Sequence, residues 1–326
     1  MRSKFRFLAL ALLLQGGGGA FAPDQAAASP PPAVAPAPPP ALAPAQAPVP
    51  EAGQVHVHPA LWVVRDADTT IYLFGTIHIL RPQIVWFDGP IRRAFDSAQQ
   101  LVVEVVTRPG DEQIMARRGM RPDGPTLSSL LPEPHWRRLV ETLNAVGLPV
   151  EQFDHAKPWF ASLLLSVLPL GQMGYRSEDG ADRTLQAMAS TDGKELTGLE
   201  TTEEQVGFFD GLPDDEQLAL LKQTLDEIPS LNVTLEKMIA AWGRGEPDRL
   251  AALLNESMSG SALLEKRLLT ERNSRWADWI KARLEQPGTV FVAVGAGHLA
   301  GPASVQHMLH ARGIEAERVR DVPAER

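Results

Sequence analysis

Residues 69–80 read TTIYLFGTIHIL. The β-branched and aromatic run over 70–74 reads as a buried strand, and it stops at Gly75-Thr76-Ile77-His78. Residues 289–300, TVFVAVGAGHLA, repeat the design, with a strand over 289–294 followed by Gly295-Ala296-Gly297-His298. Glycine at a strand end predicts a sharp turn with positive φ, or a backbone that another group approaches closely. Either way the histidine three residues later is carried to the mouth of the sheet. Two such units at opposite ends of a folded region predict strands whose carboxyl ends converge, where open α/β sheets place their ligands.

The flanking sequence predicts the rest of the sheet. Segments 61–64 and 70–74, joined by Asp66-Ala67-Asp68, read as a hairpin. A helix is predicted over 90–99, and strands over 101–106 and 194–199. Helices punctuated by Pro132, Pro134, Pro149 and Pro158 fill 126–175. Further helices follow over 182–189 and in series over 201–286, the last over 261–285. A helix over 303–312 and a strand over 314–319 close the chain. The fold class is α/β (α+β), with a central mixed sheet and a helical middle insertion.

The start of the chain reads differently. Arg2, Lys4 and Arg6, an apolar stretch over 7–14 and Ala20-Phe21-Ala22 predict a signal peptide over 1–22. Its apolar part is too short to span a bilayer. Residues 23–53 are Pro/Ala-rich, with 11 of the chain's 28 prolines between 23 and 50, and read as a disordered, extended linker. The folded domain is expected over 54–326. An exported product, periplasmic or secreted, follows, with no membrane span in its mature form. The formal charge of −9 disfavours nucleic acid as a partner. Absence of cysteine excludes disulfides, thiolate ligands and a cysteine nucleophile.

Histidine is the commonest metal ligand and a frequent acid or base near neutral pH, so His78 and His298 are candidates for one shared site. Glu104 interrupts Leu-Val-Val-Glu-Val-Val. A carboxylate among apolar neighbours is costly unless a cation, a metal or N–H donors meet it. Glu200 lies at another strand end, just before Thr201 and Thr202, which read as helix caps. Arg272, Arg275 and Trp276 share one helix face and by themselves read as a solvated stripe. Asp182 and Arg183 read as a cap or surface pair. His307 and His310 read as an exposed pair, and His56 and His58 as incidental.

Taken together these pieces resemble the TraB/PrgY/GumN family, which includes the animal Tiki proteins. The resemblance rests on Leu61-Trp62, on Tyr72 to His78, and on Leu101-Val102-Val103-Glu104. It continues through Lys157-Pro158-Trp159, Gly180-Ala181-Asp182, Gly198-Leu199-Glu200-Thr201 and Glu204-Gln205. It ends on Arg272-Asn273 with Trp276, and on Val292 to Leu299. It implies a fold similar to the erythromycin esterase and ChaN group and a metal-dependent peptidase of Tiki type. The residues implicated are His78, Glu104, Glu200, Arg272, Asn273 and His298. One departure is Val106, where family sequences often carry a second polar residue.

On that resemblance His78, Glu104 and His298 hold a divalent ion, Mn, Co or Zn, which lowers the pKa of bound water and polarises a carbonyl. Glu200 then takes the water's proton, and Arg272 with Asn273 steadies the oxyanion. The partner is a peptide or protein substrate, with a homodimer left open. Two alternatives stand beside this reading: a metal-free, esterase-like hydrolase, and a non-catalytic protein that binds haem or sequesters a peptide.

Overall fold

The structure is a computed structural model that describes residues 53–258 and 261–320. The signal peptide read over 1–22 and nearly all of the linker read over 23–53 lie outside the described residues. Among the described residues no helix is long and apolar enough to cross a membrane.

Strands are β1 (Val55–His56), β2 (Leu61–Arg65), β3 (Thr69–Thr76), β4 (Ile84–Val85), β5 (Gln100–Val103), β6 (Glu195–Gly198), β7 (Gly288–Gly295) and β8 (Glu317–Arg318). Six of them form one sheet in the order β6-β5-β7-β3-β2-β8. The first four in that order run parallel, and β2 and β8 add antiparallel pairings at the other side. The expected hairpin is there, with Leu61 opposite Phe74 and Arg65 opposite Thr70. The β3 and β7 segments opened above are direct parallel neighbours, with Thr76 in register with Gly295.

Helices used below are α1 (Gly89–Ser97), α2 (Asp111–Gly119), α3 (Glu133–Ala145), α4 (Pro158–Gln172), α5 (Ala181–Thr191), α6 (Thr202–Asp210), α7 (Asp214–Glu227), α8 (Leu231–Gly243), α9 (Pro247–Met258), α10 (Glu271–Arg283) and α11 (Val305–His310). Strand residues alternate between two apolar layers, as a two-residue side-chain period requires. Phe74, Leu101, Val103 and Phe291 join the core shared with the helical middle region. Ile71, Leu73, Val102 and Val292 pack instead with Trp276 and Ile280 of α10 and with Val305 and Leu309 of α11.

Three expectations are corrected. The helix expected over 261–285 is present over 262–283 but is not α-helical throughout: Ala262–Glu265 passes through a π-helical stretch, Lys266–Thr270, into α10. The closing strand shrinks to Glu317–Arg318. Neither glycine of the quoted motifs adopts positive φ: Gly75 is absent from the positive-φ positions and Gly295 has φ −51°. The need at Gly75 is close approach, because a Cβ there would lie 2.9 Å from Ala296 Cα. Only a residue without a side chain lets β3 meet the turn that carries His298.

Candidate functional site

All four parallel strands deliver a polar residue just past their carboxyl ends. His78 follows β3, Glu104 follows β5, Glu200 follows β6 and His298 follows β7. Each is buried. Helix α10, packed on the same sheet, supplies Arg272 and Asn273, also buried.

Arg272 is the hub. Its Nε donates to Glu200 Oε1 and Oε2 at 2.9 and 3.0 Å. One terminal nitrogen donates to Glu200 Oε2 at 2.8 Å and Glu104 Oε2 at 2.5 Å. The other meets Leu268 O at 3.2 Å and His298 Nε2 at 3.1 Å. All five N–H groups of the guanidinium thus have acceptors. Leu268 lies in the π-helical stretch, and π-bulges inside helices are frequent at functional sites. Burial works against the charge of Arg272, but Glu104 and Glu200 outweigh it and raise the guanidinium pKa above its ordinary value. The helix face that reads as a solvated stripe in isolation therefore splits: Arg272 is fully enclosed, while Arg275 is half exposed and reaches Glu200 Oε1 at 3.3 Å.

Glu104 is satisfied on both oxygens, as its burial demands. Oε1 accepts the Gly295 N–H at 2.6 Å, and Oε2 accepts Gln205 Nε2 at 3.1 Å in addition to Arg272. The same Gln205 amide reaches Glu200 Oε2 at 3.2 Å. Thr201 begins α6 with a capping box, its hydroxyl accepting from Glu204 N and Glu204 returning to Thr201 N. That cap fixes Glu200 one residue outside the helix.

The two histidines sit in opposite circumstances. Asn273 Nδ2 donates to Ala303 O at 2.7 Å, so its Oδ1 is the acceptor that faces His298 Nδ1 at 2.5 Å. His298 then carries its proton on Nδ1 and accepts from Arg272 on Nε2. The Trp276 ring lies 4.3 Å away. Burial, followed by the charges of Arg272 and His78, holds the His298 pKa well below 6.5. His298 is neutral and bonded on both nitrogens.

His78 is held on one side only. Its Nδ1 lies 2.8 Å from Asp182 Oδ1, and its buried Nε2 has no partner among the described residues. Burial alone would lower its pKa; the Asp182 carboxylate, aided by the charge of Glu104, outweighs burial and leaves the imidazole above 6.5. The Thr76 hydroxyl, two residues earlier, is likewise buried without a partner.

Asp182 reaches His78 because α5 docks end-on. Ala181 N–H donates to Ile77 O at 2.9 Å, and a Cβ on Gly180 would lie 2.2 Å from His78 O. Asp182 is therefore not the cap or surface residue its local sequence implies; it is 2% exposed. Sequence reasoning also gave Gln205 no role. The signal available for both was their place in motif-like strings, Gly180-Ala181-Asp182 and Glu204-Gln205, at the starts of helices. Of the other histidines, His56, His58, His307 and His310 are exposed, whereas His135 and His155 are partly buried.

The family model for TraB/PrgY/gumN matches residues 60–318. YbaP of Escherichia coli (strain K12) is 26% identical over 257 residues, 79% of this chain and 94% of YbaP. Metalloprotease TIKI2 of Danio rerio is 27% identical over 319 residues, 81% of this chain and 61% of TIKI2. Metalloprotease TIKI1 of Homo sapiens is 25% identical, with 81% of this chain and 62% of that protein covered. The chain thus spans less than two thirds of these two animal relatives. No solved structure matches.

Proposed function

The chain belongs to the TraB/PrgY/gumN family, and from that membership and the unpartnered imidazole nitrogen of His78 we propose that it is a peptide-bond hydrolase. The observation that carries the reading is the buried, unpartnered Nε2 of a histidine whose other nitrogen is held by a buried carboxylate. With Nδ1–H donated to Asp182, the lone pair of the neutral ring lies at Nε2. It takes a proton from water as the water oxygen attacks the peptide carbonyl, and returns it to the departing amine. Asp182 orients the ring and stabilises the imidazolium, as carboxylates do in histidine-based hydrolases.

Arg272 has no N–H left for an oxyanion, so we assign it to holding Glu104, Glu200 and His298 in place. To the Thr76 hydroxyl, buried and unpartnered two residues before His78, we assign the donation to the oxyanion. An exported protein acting on an extracytoplasmic peptide is the setting proposed, on the sequence of residues 1–22.

The relatives' name, metalloprotease, favours a second reading in which His78, Glu104 and His298 hold Mn, Co or Zn. Bound there, the ion would polarise the carbonyl and lower the pKa of water. His78 Nε2 fits such an ion. Glu104 Oε2 and His298 Nε2 do not as arranged, because both face the Arg272 guanidinium. Among the described residues no three His, Asp or Glu side chains are grouped to hold an ion. This reading therefore requires Arg272 to release two of its partners.

One experiment separates the readings. Purified protein is incubated with a peptide library and cleavage is followed by mass spectrometry, before and after chelation and with Mn, Co or Zn added back. Cleavage that survives chelation and vanishes in His78→Gln supports the imidazole reading. Cleavage abolished by chelation and restored by one ion supports the metal reading. No cleavage under any condition rejects both.

A further inference from the structure

A cleft opens beside the site, between α2, α4, α5 and α6. Its wall is apolar: Val105, Met115, Trp159, Leu163, Val206 and Phe209. Trp159 and Phe209 stack with ring centroids 6.1 Å apart. The indole is fixed in turn, its Nε1 donating to Asp210 Oδ1 at 3.1 Å while Lys157 holds the same oxygen at 2.6 Å. The wall is thus rigid.

The cleft is joined to the site twice. Gln205 lines it and donates to both Glu104 and Glu200. Arg183 lines it and follows Asp182, the partner of His78. The mouth carries both signs of charge, with Arg108 and Arg183 against Asp111 and Glu112. Mixed charge gives no net attraction for an acidic or a basic side chain. Water against the apolar wall finds few hydrogen-bond partners, so its displacement by an apolar group is favourable.

We propose that this cleft is the specificity subsite of the enzyme and takes one large apolar side chain, such as Phe or Leu, of the peptide being cut. The inference rests on the peptidase reading. Gln205 separates the slot from the carboxylates and marks where the substrate side chain turns away from the reacting bond. Met115, on α2 and partly exposed, is outside the His78 and Arg272 network and can be changed to fill the slot.

The test compares alanine peptides carrying Phe or Gly at one scanned position, cut by wild type and by Met115→Trp, with Met115→Leu as the control that keeps the slot open. Wild type and Met115→Leu are expected to favour the best Phe peptide by about tenfold or more in kcat/KM, the scale on which apolar pockets discriminate. Met115→Trp is expected to lower kcat/KM on the Phe peptide far more than on the Gly peptide, so that the ratio between them falls to about one. Equal rates on both peptides in wild type, or a preference untouched by Met115→Trp, overturn the proposal. If neither peptide is cut, the peptidase reading fails, and the slot is judged by binding. Protein labelled with 5-fluorotryptophan, its Trp159 signal assigned by Trp159→Phe, is titrated with N-acetylphenylalanine amide and N-acetylglycine amide. A shift of that signal with the first alone supports an apolar slot, and no shift with either overturns it.

Discussion

The turn after β3 and the turn after β7 share the pattern Gly-x-x-His, lie side by side in register, and end in different chemistry. His298 is locked between Asn273 and Arg272 and is neutral. His78 is tied at Nδ1 alone, and its pKa is raised. The second element packed on each turn makes the difference. Helix α10 brings an amide and a guanidinium to one imidazole, and the amino end of α5 brings a carboxylate to the other. A repeated motif therefore does not mean a repeated role: one copy carries a reactive nitrogen and the other carries part of the frame around it.

The largest expected effect separates the two copies by activity. His78→Gln should lower peptide cleavage by about 10²–10⁴-fold, the range of general acid–base contributions, measured on protein shown to be folded by circular dichroism. A His78→Gln variant that cuts as fast as wild type would make the two turns equivalent and break the contrast. Next comes the hub. Arg272→Met leaves Glu104 and Glu200 buried without their cation, and should cost about 3–5 kcal/mol of stability by urea denaturation. A loss under about 1 kcal/mol would mean that the network is open to water.

Smaller again is His298→Gln, which disturbs hydrogen bonds to Arg272 and Asn273 and should cost about 1–3 kcal/mol. The same measurement on His78→Gln should show a cost of that order too, since Asp182 loses its buried partner at Nδ1.

The smallest effects lie in pH dependence, and their signs are opposed. His78 has a folded pKa above 6.5, so its contribution is fully present below about 6.5 and is lost as pH rises through the folded value. His298 has a folded pKa well below 6.5. Between that value and about 6.5 the unfolded chain binds the extra proton, so stability falls as pH drops. Wild type should lose stability on both sides of this region. His78→Gln should flatten the upper limb and His298→Gln the lower one, in melts across pH; the reverse assignment would contradict the two environments.

Much of the frame was legible in the sequence because period and composition report it. The buried run over 70–74, its twin over 289–294 and the charge inside Leu-Val-Val-Glu-Val-Val locate β3, β7 and the anomalous Glu104. Glu200 was legible as a residue lying before a cap. Arg272 was legible only through family resemblance, since a helix face with two arginines reads equally as solvated surface. What stayed hidden depends on docking across long separations. Asp182 meets His78 over 104 residues, through a helix end whose approach Gly180 permits. Gln205 bridges two carboxylates that lie on different strands. The π-helical stretch at Lys266–Thr270, which turns Leu268 O toward Arg272, left no punctuating glycine or proline to read.

The most direct test of the unlike histidines is an imidazole NMR titration of wild type from pH 5 to 9, with both signals assigned by His78→Gln and His298→Gln. The account requires His78 to titrate above 6.5, and His298 to stay in its Nδ1–H form, bearing no second proton, across the range. Two histidines that titrate together near 6.5 would contradict it.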